Sequence, residues 1–180
     1  MKRFDSLIRW SIALVALVVL LGAAPVHAEQ WLIPASANVA GSAGTNWRTD
    51  LRLVNTEDEA TTARIYLLEA GLDNGALSRH IDVNLPADGQ VQLENILGDR
   101  FLLSGTAALL VEAPGDDLVV TSRTYNQVPG GTYGQFIPGV PVSDALAAGE
   151  DAYLVYLAKS GDFRTNLGWA GTSSASSPAP

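Results

Sequence analysis

Three Arg-Thr dipeptides, Arg48-Thr49, Arg123-Thr124 and Arg164-Thr165, fall in stretches that read as β-strands. An arginine held on a sheet can grip a carboxylate or sulfate through two parallel N–H donors. The competing reading is structural: such an arginine pairs with a neighbouring acid, here Asp50, and fixes strand register. Trp47, Tyr125, Tyr133 and Trp169 lie in or beside the same stretches, and rings standing off a sheet could stack on sugars. Trp47 and Trp169 could as easily fill the core, since large aromatics are buried on average. Trp47, Arg48, Tyr125 and Tyr133 are the candidate ligand-binding residues.

Other chemistry is thinly supplied. Glu57-Asp58-Glu59 and Asp116-Asp117 are acidic runs of the sort that gather Ca²⁺ outside cells, but neither has the spaced Asp-x-Asp-x-Asp-Gly order that wraps oxygens around the ion. They read as solvated turns. After residue 28 the chain has a single histidine, His80, at the start of an alternating strand, and no Gly-x-Ser-x-Gly, His-Glu-x-x-His or glycine-rich phosphate loop. No catalytic residue, metal ligand or cofactor is assigned. A carboxylate pair for glycoside hydrolysis depends on a separation that only the fold sets, so an extracellular hydrolase stays as a third reading.

The elements that must position these residues follow an N-terminal leader. Lys2, Arg3 and Arg9 make a basic start, residues 12–21 are an unbroken apolar run, and Val26-His27-Ala28 places small residues where a signal peptidase reads them. Residues 10–24 fall short of the roughly 20 that span a bilayer, so cleavage after Ala28 is expected rather than a membrane anchor. Removing residues 1–28 moves the balance from 11 basic against 19 acidic groups to 8 against 18, a net charge of −10. That balance argues against nucleic acid as a partner. With no cysteine, neither a disulfide nor a lipid anchor on Cys is available, and stability must come from burial.

Residues 31–34 read as a short first strand, and 35–44 as a loop or irregular edge. In 45–55, Thr49, Leu51 and Leu53 alternate with Arg48, Asp50 and Arg52, the period of a strand with one apolar and one charged face. An acidic turn leads to a strand over 63–68, which suggests a hairpin. Ile81, Val83 and Leu85 line one face of the next strand. Pro86-Ala87-Asp88-Gly89 then turns the chain into 90–93, proline presetting one dihedral and glycine taking the left-handed one.

Leu93, Ile96, Leu97 and Phe101 fall at helical spacing, which predicts one short helix limited by Gly98. Residues 107–111 and 118–126 are the most apolar β-like runs and read as a central hairpin of the core. The glycines and prolines of 129–141 mark an irregular loop around Tyr133 and Phe136. Residues 145–149 form a linker, 153–158 a strand, 163–169 an echo of the opening Arg-Thr-containing strand, and 172–180 a Ser/Ala/Pro tail.

Short strands with turn signals between them predict an all-β protein, an antiparallel β-sandwich with one short helix; a small barrel shares the pattern. The expected layout is a signal peptide over 1–28, a sandwich over 29–144, a C-terminal β-hairpin over 145–171 docking on it, and a disordered tail over 172–180. Because an isolated hairpin is marginal in water, its two strands must join a sheet, their own chain's or another's. Leu51, Leu53, Leu109, Val111, Val119 and Tyr125 are expected in one core.

Several of these stretches also resemble a known family. Ile33-Pro34-Ala35, Trp47-Arg48-Thr49-Asp50-Leu51 with Asn55, Ser122-Arg123-Thr124-Tyr125-Asn126, Gly131-Thr132-Tyr133-Gly134-Gln135 with Ile137-Pro138, and Arg164-Thr165-Asn166-Leu167-Gly168 are similar to an uncharacterised family of secreted bacterial proteins built from immunoglobulin-like β-sandwich modules. The likeness spans about residues 31 to 171. It implies an immunoglobulin-like sandwich and no activity. Those relatives continue into a further module where this sequence has its tail.

The expectation is a non-enzymatic secreted protein, periplasmic or extracellular, with a structural or interaction role at the cell envelope. Its partners would be a cell-surface protein or a glycan, with self-association through the C-terminal hairpin as a further contact. A carbohydrate-binding module of the same fold is the alternative.

Overall fold

A computed structural model describes residues 28–74, 79–115, 117–155, 157–160 and 168–171. All but the last residue of the expected signal peptide 1–28, residues 163–167 of the expected hairpin strand 163–169, with the third Arg-Thr copy, and the tail 172–180 lie outside these residues. Among the described residues the strands are β1 (Ala28–Ala40), β2 (Asn46–Asn55), β3 (Thr61–Glu69), β4 (His80–Leu85), β5 (Gln90–Leu93), β6 (Gly105–Pro114), β7 (Leu118–Val128), β8 (Gly131–Pro138) and β9 (Val140–Pro141), with one α-helix, α1 (Ile96–Asp99), between β5 and β6 and two single 3-10 turns.

All nine strands belong to one open antiparallel sheet in the order β4-β3-β6-β1-β2-β7-β8, with β5 added beside β2 and β9 beside β1. The fold is all-β. The sheet folds over so that β4-β3-β6-β1 faces β5-β2-β7-β8: a single core takes Ile33, Ala63, Ile65, Leu85, Leu109 and Val111 from one half and Leu51, Leu53, Leu93 and Val120 from the other. The short helix expected here forms and gives Ile96 and Leu97 to this sandwich-like core, while Phe101 enters it from the turn that follows and Leu93 from β5.

Strand β1 connects the halves. It pairs with β6 from Ala28 to Asn38 and with β2 from Asn38 to Ala40. Between Ile33 and Ser36 the register slips by one residue, so the inward positions change from Trp31 and Ile33 to Ser36. Pro34 sits in this bulge, where its missing N–H costs no ladder bond. The strand thus continues through 35–40, where the sequence reads as a loop.

Two expected hairpins are absent. Strand β2 pairs with β1, β5 and β7, whereas β3 pairs with β4 and β6. Likewise β6 pairs with β1 and β3, and β7 with β2 and β8. The linkers after β2, β4 and β6 therefore carry the chain from one half of the sheet to the other. They meet at one end: Thr56 N and its hydroxyl donate to Asp117 O (3.1 and 2.7 Å), Asp88 N to Glu57 O (2.8 Å) and Asn55 N to Gly89 O (2.8 Å). In the Pro86-to-Gly89 turn the left-handed residue is Asp88 (φ 46°), not the glycine. Gly89 is required because a Cβ there would run into the Pro86 ring.

Residues 131–138, expected as a loop, form the edge strand β8, in register with β7 from Thr121↔Pro138 to Val128↔Gly131. Gly134 lies opposite Tyr125, and a Cβ on it would come within 2.5 Å of the Tyr125 Cα, so only glycine lets the two backbones pair. Of the strand expected over 153–158, the described residues 153–155 and 157–158 are not in a strand, and Tyr153, Leu154, Val155 and Leu157 are exposed.

Candidate functional site

Pairing across β2, β7 and β8 sorts the four candidate residues onto two faces of the sheet. Arg48 lies directly opposite Tyr125, and Trp47 opposite Asn126, which is opposite Tyr133 on its other side. Directly paired residues share a face and successive ones alternate. Arg48 and Tyr125 therefore stand on the outer face, and Trp47 and Tyr133 on the inner one, where Trp47 leans on Gly41 and Tyr133 is 68% exposed at the sheet edge. No single ligand surface joins all four.

The Arg-Thr dipeptides take a clear meaning from the same register. Thr49 pairs with Thr124, and their hydroxyls hydrogen-bond at 2.8 Å on the inner face, where Thr49 also accepts from Ala37 N at 2.8 Å. The adjoining arginines are thereby directed outward. Tyr125 and Val119, expected in the core, lie on this outer face instead: Tyr125 is half-buried and Val119 is 48% exposed, because the inward positions of β7 are Leu118, Val120, Ser122 and Asn126.

On that face Asp50 is flanked by Arg48 and Arg52 along β2 and faces Arg123 across β7. It does not pair with any of them. Asp50 Oδ1 accepts from Asn95 N at 2.9 Å and from the Tyr125 hydroxyl at 3.3 Å. Asn95 presents that N–H because it holds a left-handed conformation (φ 39°) just before α1. Arg123 donates to Thr132 Oγ1 at 2.5 Å and lies over the Tyr125 ring, 5.0 Å from its centroid. Arg52 donates to Gln92 Oε1 at 2.6 Å. Arg48 Nε is shielded from solvent with no hydrogen-bond partner among the described residues. The ion pairs among these residues lie elsewhere: Arg64 grips Asp82 on β3 and β4, and Arg79 meets Glu69. Register-fixing by Arg and Asp thus belongs to the Arg64–Asp82 pair, not to the Arg-Thr copies at 48 and 123.

Burial raises the Tyr125 pKa above 10.0, and the Asp50 charge and hydrogen bond add to the effect against an opposing pull from Arg48. Ionisation is opposed in the folded chain, so this contribution to stability is complete below the unfolded value near pH 10 and is lost as pH rises through the folded one. An ultraviolet absorbance titration, with Tyr125→Phe subtracted to isolate the residue, should find Tyr125 ionising above the ordinary tyrosine value. Asp50→Asn should bring it down, and no movement would remove Asp50 as a cause.

Little else converges. Among the described residues no group of three His, Asp or Glu side chains could hold a metal. His80 is exposed and stacks obliquely on Tyr66, ring centroids 5.5 Å apart. A cleft of about 390 Å³ beside β1 and β9 is lined by Leu32, Pro34, Val140, Pro141, Val142 and Leu146, with no titratable side chain among its described lining. No described helix is long and apolar enough to cross a membrane.

No protein-family model matches this sequence, and no curated protein does. Among solved structures, a protein described as Thermotoga maritima 1070 is similar over 62% of this chain and 92% of its own, at 15% identity and a TM-score of 0.49. A likeness that slight bears on neither fold nor function.

Proposed function

We propose that the protein is a secreted, non-enzymatic module that works by binding at the cell envelope, and that its recognition surface is the outer face of β5-β2-β7-β8. One observation carries this reading. Eight basic residues follow residue 28, and three of them, Arg48, Arg52 and Arg123, stand together on this face with no carboxylate ion-paired to any of them among the described residues. A cationic strip on an otherwise acidic chain favours an acidic ligand, which planar guanidinium groups bind through paired donors. The carbohydrate-binding reading finds support on the same face, where Tyr125 and Phe136, 66% exposed, offer ring surface beside the arginines.

Affinity electrophoresis against neutral and acidic polysaccharides tests the proposal. Acidic polymers should retard the protein, less so as salt rises, and Arg48→Ala with Arg123→Ala should abolish most of the shift while the fold stays intact. Retardation indifferent to these arginines would refute the assigned face. Release of sugar fragments would point to the hydrolase.

Secretion rests on the sequence of residues 1–28, whose basic start, apolar run and small-residue cleavage site read as a signal peptide. Glu29, the first residue such cleavage would leave, is already paired with Ala113 of β6. N-terminal mass analysis of exported protein should find a start near Glu29. Retention of residues 1–28 would favour an anchor.

A further inference from the structure

The charges of the arginine face are unevenly spread. Arg48 and Arg52 stand four residues apart on β2, roughly 13 Å at the rise of a strand, and Asp50 lies between them on the same face. Gln92 Oε1 draws the Arg52 guanidinium toward β5 at 2.6 Å. Arg123 is opposite Asp50, but its side chain passes over the Tyr125 ring to Thr132, which pairs with Gln127, beyond the Arg48–Tyr125 row. Its charge is thereby carried to the Arg48 end. The cations sit at two ends of the face, and the row between them is acidic: Glu94 follows directly on Leu93, whose pairing with Leu51 ends beside Asp50. That middle row also holds Phe136, 66% exposed. Of the roughly four acceptor sites on the Asp50 carboxylate, two are taken among the described residues, by Asn95 N and the Tyr125 hydroxyl. Spare acceptor sites in the same row as an exposed ring suit a neutral sugar, whose hydroxyls donate and whose C–H face stacks on an aromatic. The same row repels an anion.

We propose that the ligand is a linear polysaccharide in which acidic sugars alternate with neutral ones, laid along β2 with acidic groups at the Arg48 and Arg52 ends and a neutral sugar over the Asp50 row. The inference rests on the arginine face as the recognition surface and adds the charge spacing of what it binds. A polymer charged on every sugar sets an anion against Asp50 and Glu94. So does a nucleic acid, with a phosphate about every 3.4 Å along each strand. The acidic balance of the whole chain adds to that repulsion. Two separated cationic ends also make affinity depend on ligand length, because the second contact becomes intramolecular once the first has formed.

Isothermal titration tests this with hyaluronan, in which every second sugar is acidic, polygalacturonate, in which every sugar is, and single-stranded DNA. At matched length and salt, hyaluronan should bind about tenfold or more tightly than either of the others, since like charges brought together are costly. Its hexasaccharide should bind more tightly than its disaccharide. Arg52→Ala, at an exposed position, should keep the fold and erase that gain with length. Asp50→Asn leaves an oxygen for Asn95 N and the Tyr125 hydroxyl but removes the charge. Combined with Glu94→Gln, it should bring the affinities for hyaluronan and polygalacturonate close together. If that double variant fails to fold, Arg52→Ala decides alone. Equal affinity of the parent chain for the two polysaccharides, tighter binding of DNA, or a length gain that survives Arg52→Ala would each overturn the proposal. The arginine face would still stand in those cases if Arg48→Ala with Arg123→Ala abolishes the binding seen. Failure to bind any acidic polymer would overturn both.

Discussion

Leu53→Ala should lower the unfolding free energy by about 2 to 5 kcal/mol, the range for truncating a fully buried leucine. Leu53 is 0% exposed, and its strand is flanked on both sides, by Val91 of β5 and Val120 of β7. Neighbours held by two ladders cannot easily collapse into the space left behind, so the loss should fall in the upper part of that range. Val119→Ala is the control. Val119 is one residue along from Val120 in β7 and looks no less apolar in the sequence, but it faces outward and is 48% exposed. Its truncation should cost no more than about 0.5 kcal/mol. Equal shifts in the urea midpoint for the two variants would mean that the inward face of this half has been misassigned.

The pair also marks how far the sequence could be read. Alternation gives the location of strands because the pleat forces it, and β2, β3, β4 and β7 lie close to where the apolar periodicity predicts them. The inward set of β7 was less legible, since Val119, Val120 and Tyr125 are all good strand formers and only the paired register decides between odd and even positions. Partnering was not legible either. A polar linker such as 56–60 or 115–117 has the same composition whether the next strand folds back beside the last one or crosses to the other half of the sheet. That choice is made by the packing of Leu53, Val111 and Val120 into one core, which is a long-range property. Strand β8 is hidden in the sequence for a different reason: Gly134 and Pro138 argue for a loop, but an edge strand tolerates both.

The outer face was half visible. Arg48 and Tyr125 could be placed as candidates from their residue types and strand patterns, while Trp47 and Tyr133 drop out because one step along a strand changes the face. The use of Asp50 had no local signal. Its partners are a backbone N–H at Asn95, exposed only by that residue's left-handed conformation, and a hydroxyl from β7. Asp50 therefore ties α1 to the face that carries the arginines, and its carboxylate is held back from them. This leaves the guanidinium groups of Arg48, Arg52 and Arg123 without an ion-pair partner among the described residues.

Asn55→Ala should cost about 2 to 4 kcal/mol, a loss on the scale of a core truncation from a residue that contributes almost no apolar surface. Asn55 closes β2 and is 3% exposed. Its Nδ2 donates to Glu59 O at 2.8 Å and Pro86 O at 3.0 Å, and its Oδ1 accepts from Glu57 N at 3.1 Å. One side chain thus satisfies backbone groups from two of the linkers that cross between the halves of the sheet, while the neighbouring Thr56 binds the third through Asp117. Alanine would strand two carbonyls and one N–H in a place where water enters poorly, and an orphaned buried group costs about 1 to 3 kcal/mol, reduced wherever the loops relax enough to admit solvent. Asn55→Asp separates the two kinds of bond. It keeps the acceptor for Glu57 N but loses both donors and sets a carboxylate against two carbonyl oxygens, so it should be at least as damaging as alanine near neutral pH and should recover in part as acid protonates it. Thermal or urea unfolding of the three proteins at neutral and acidic pH decides the matter. Asn55→Asp as stable as the parent at neutral pH would show that the donor bonds contribute nothing, and that the crossing linkers are held by their own backbone bonds alone.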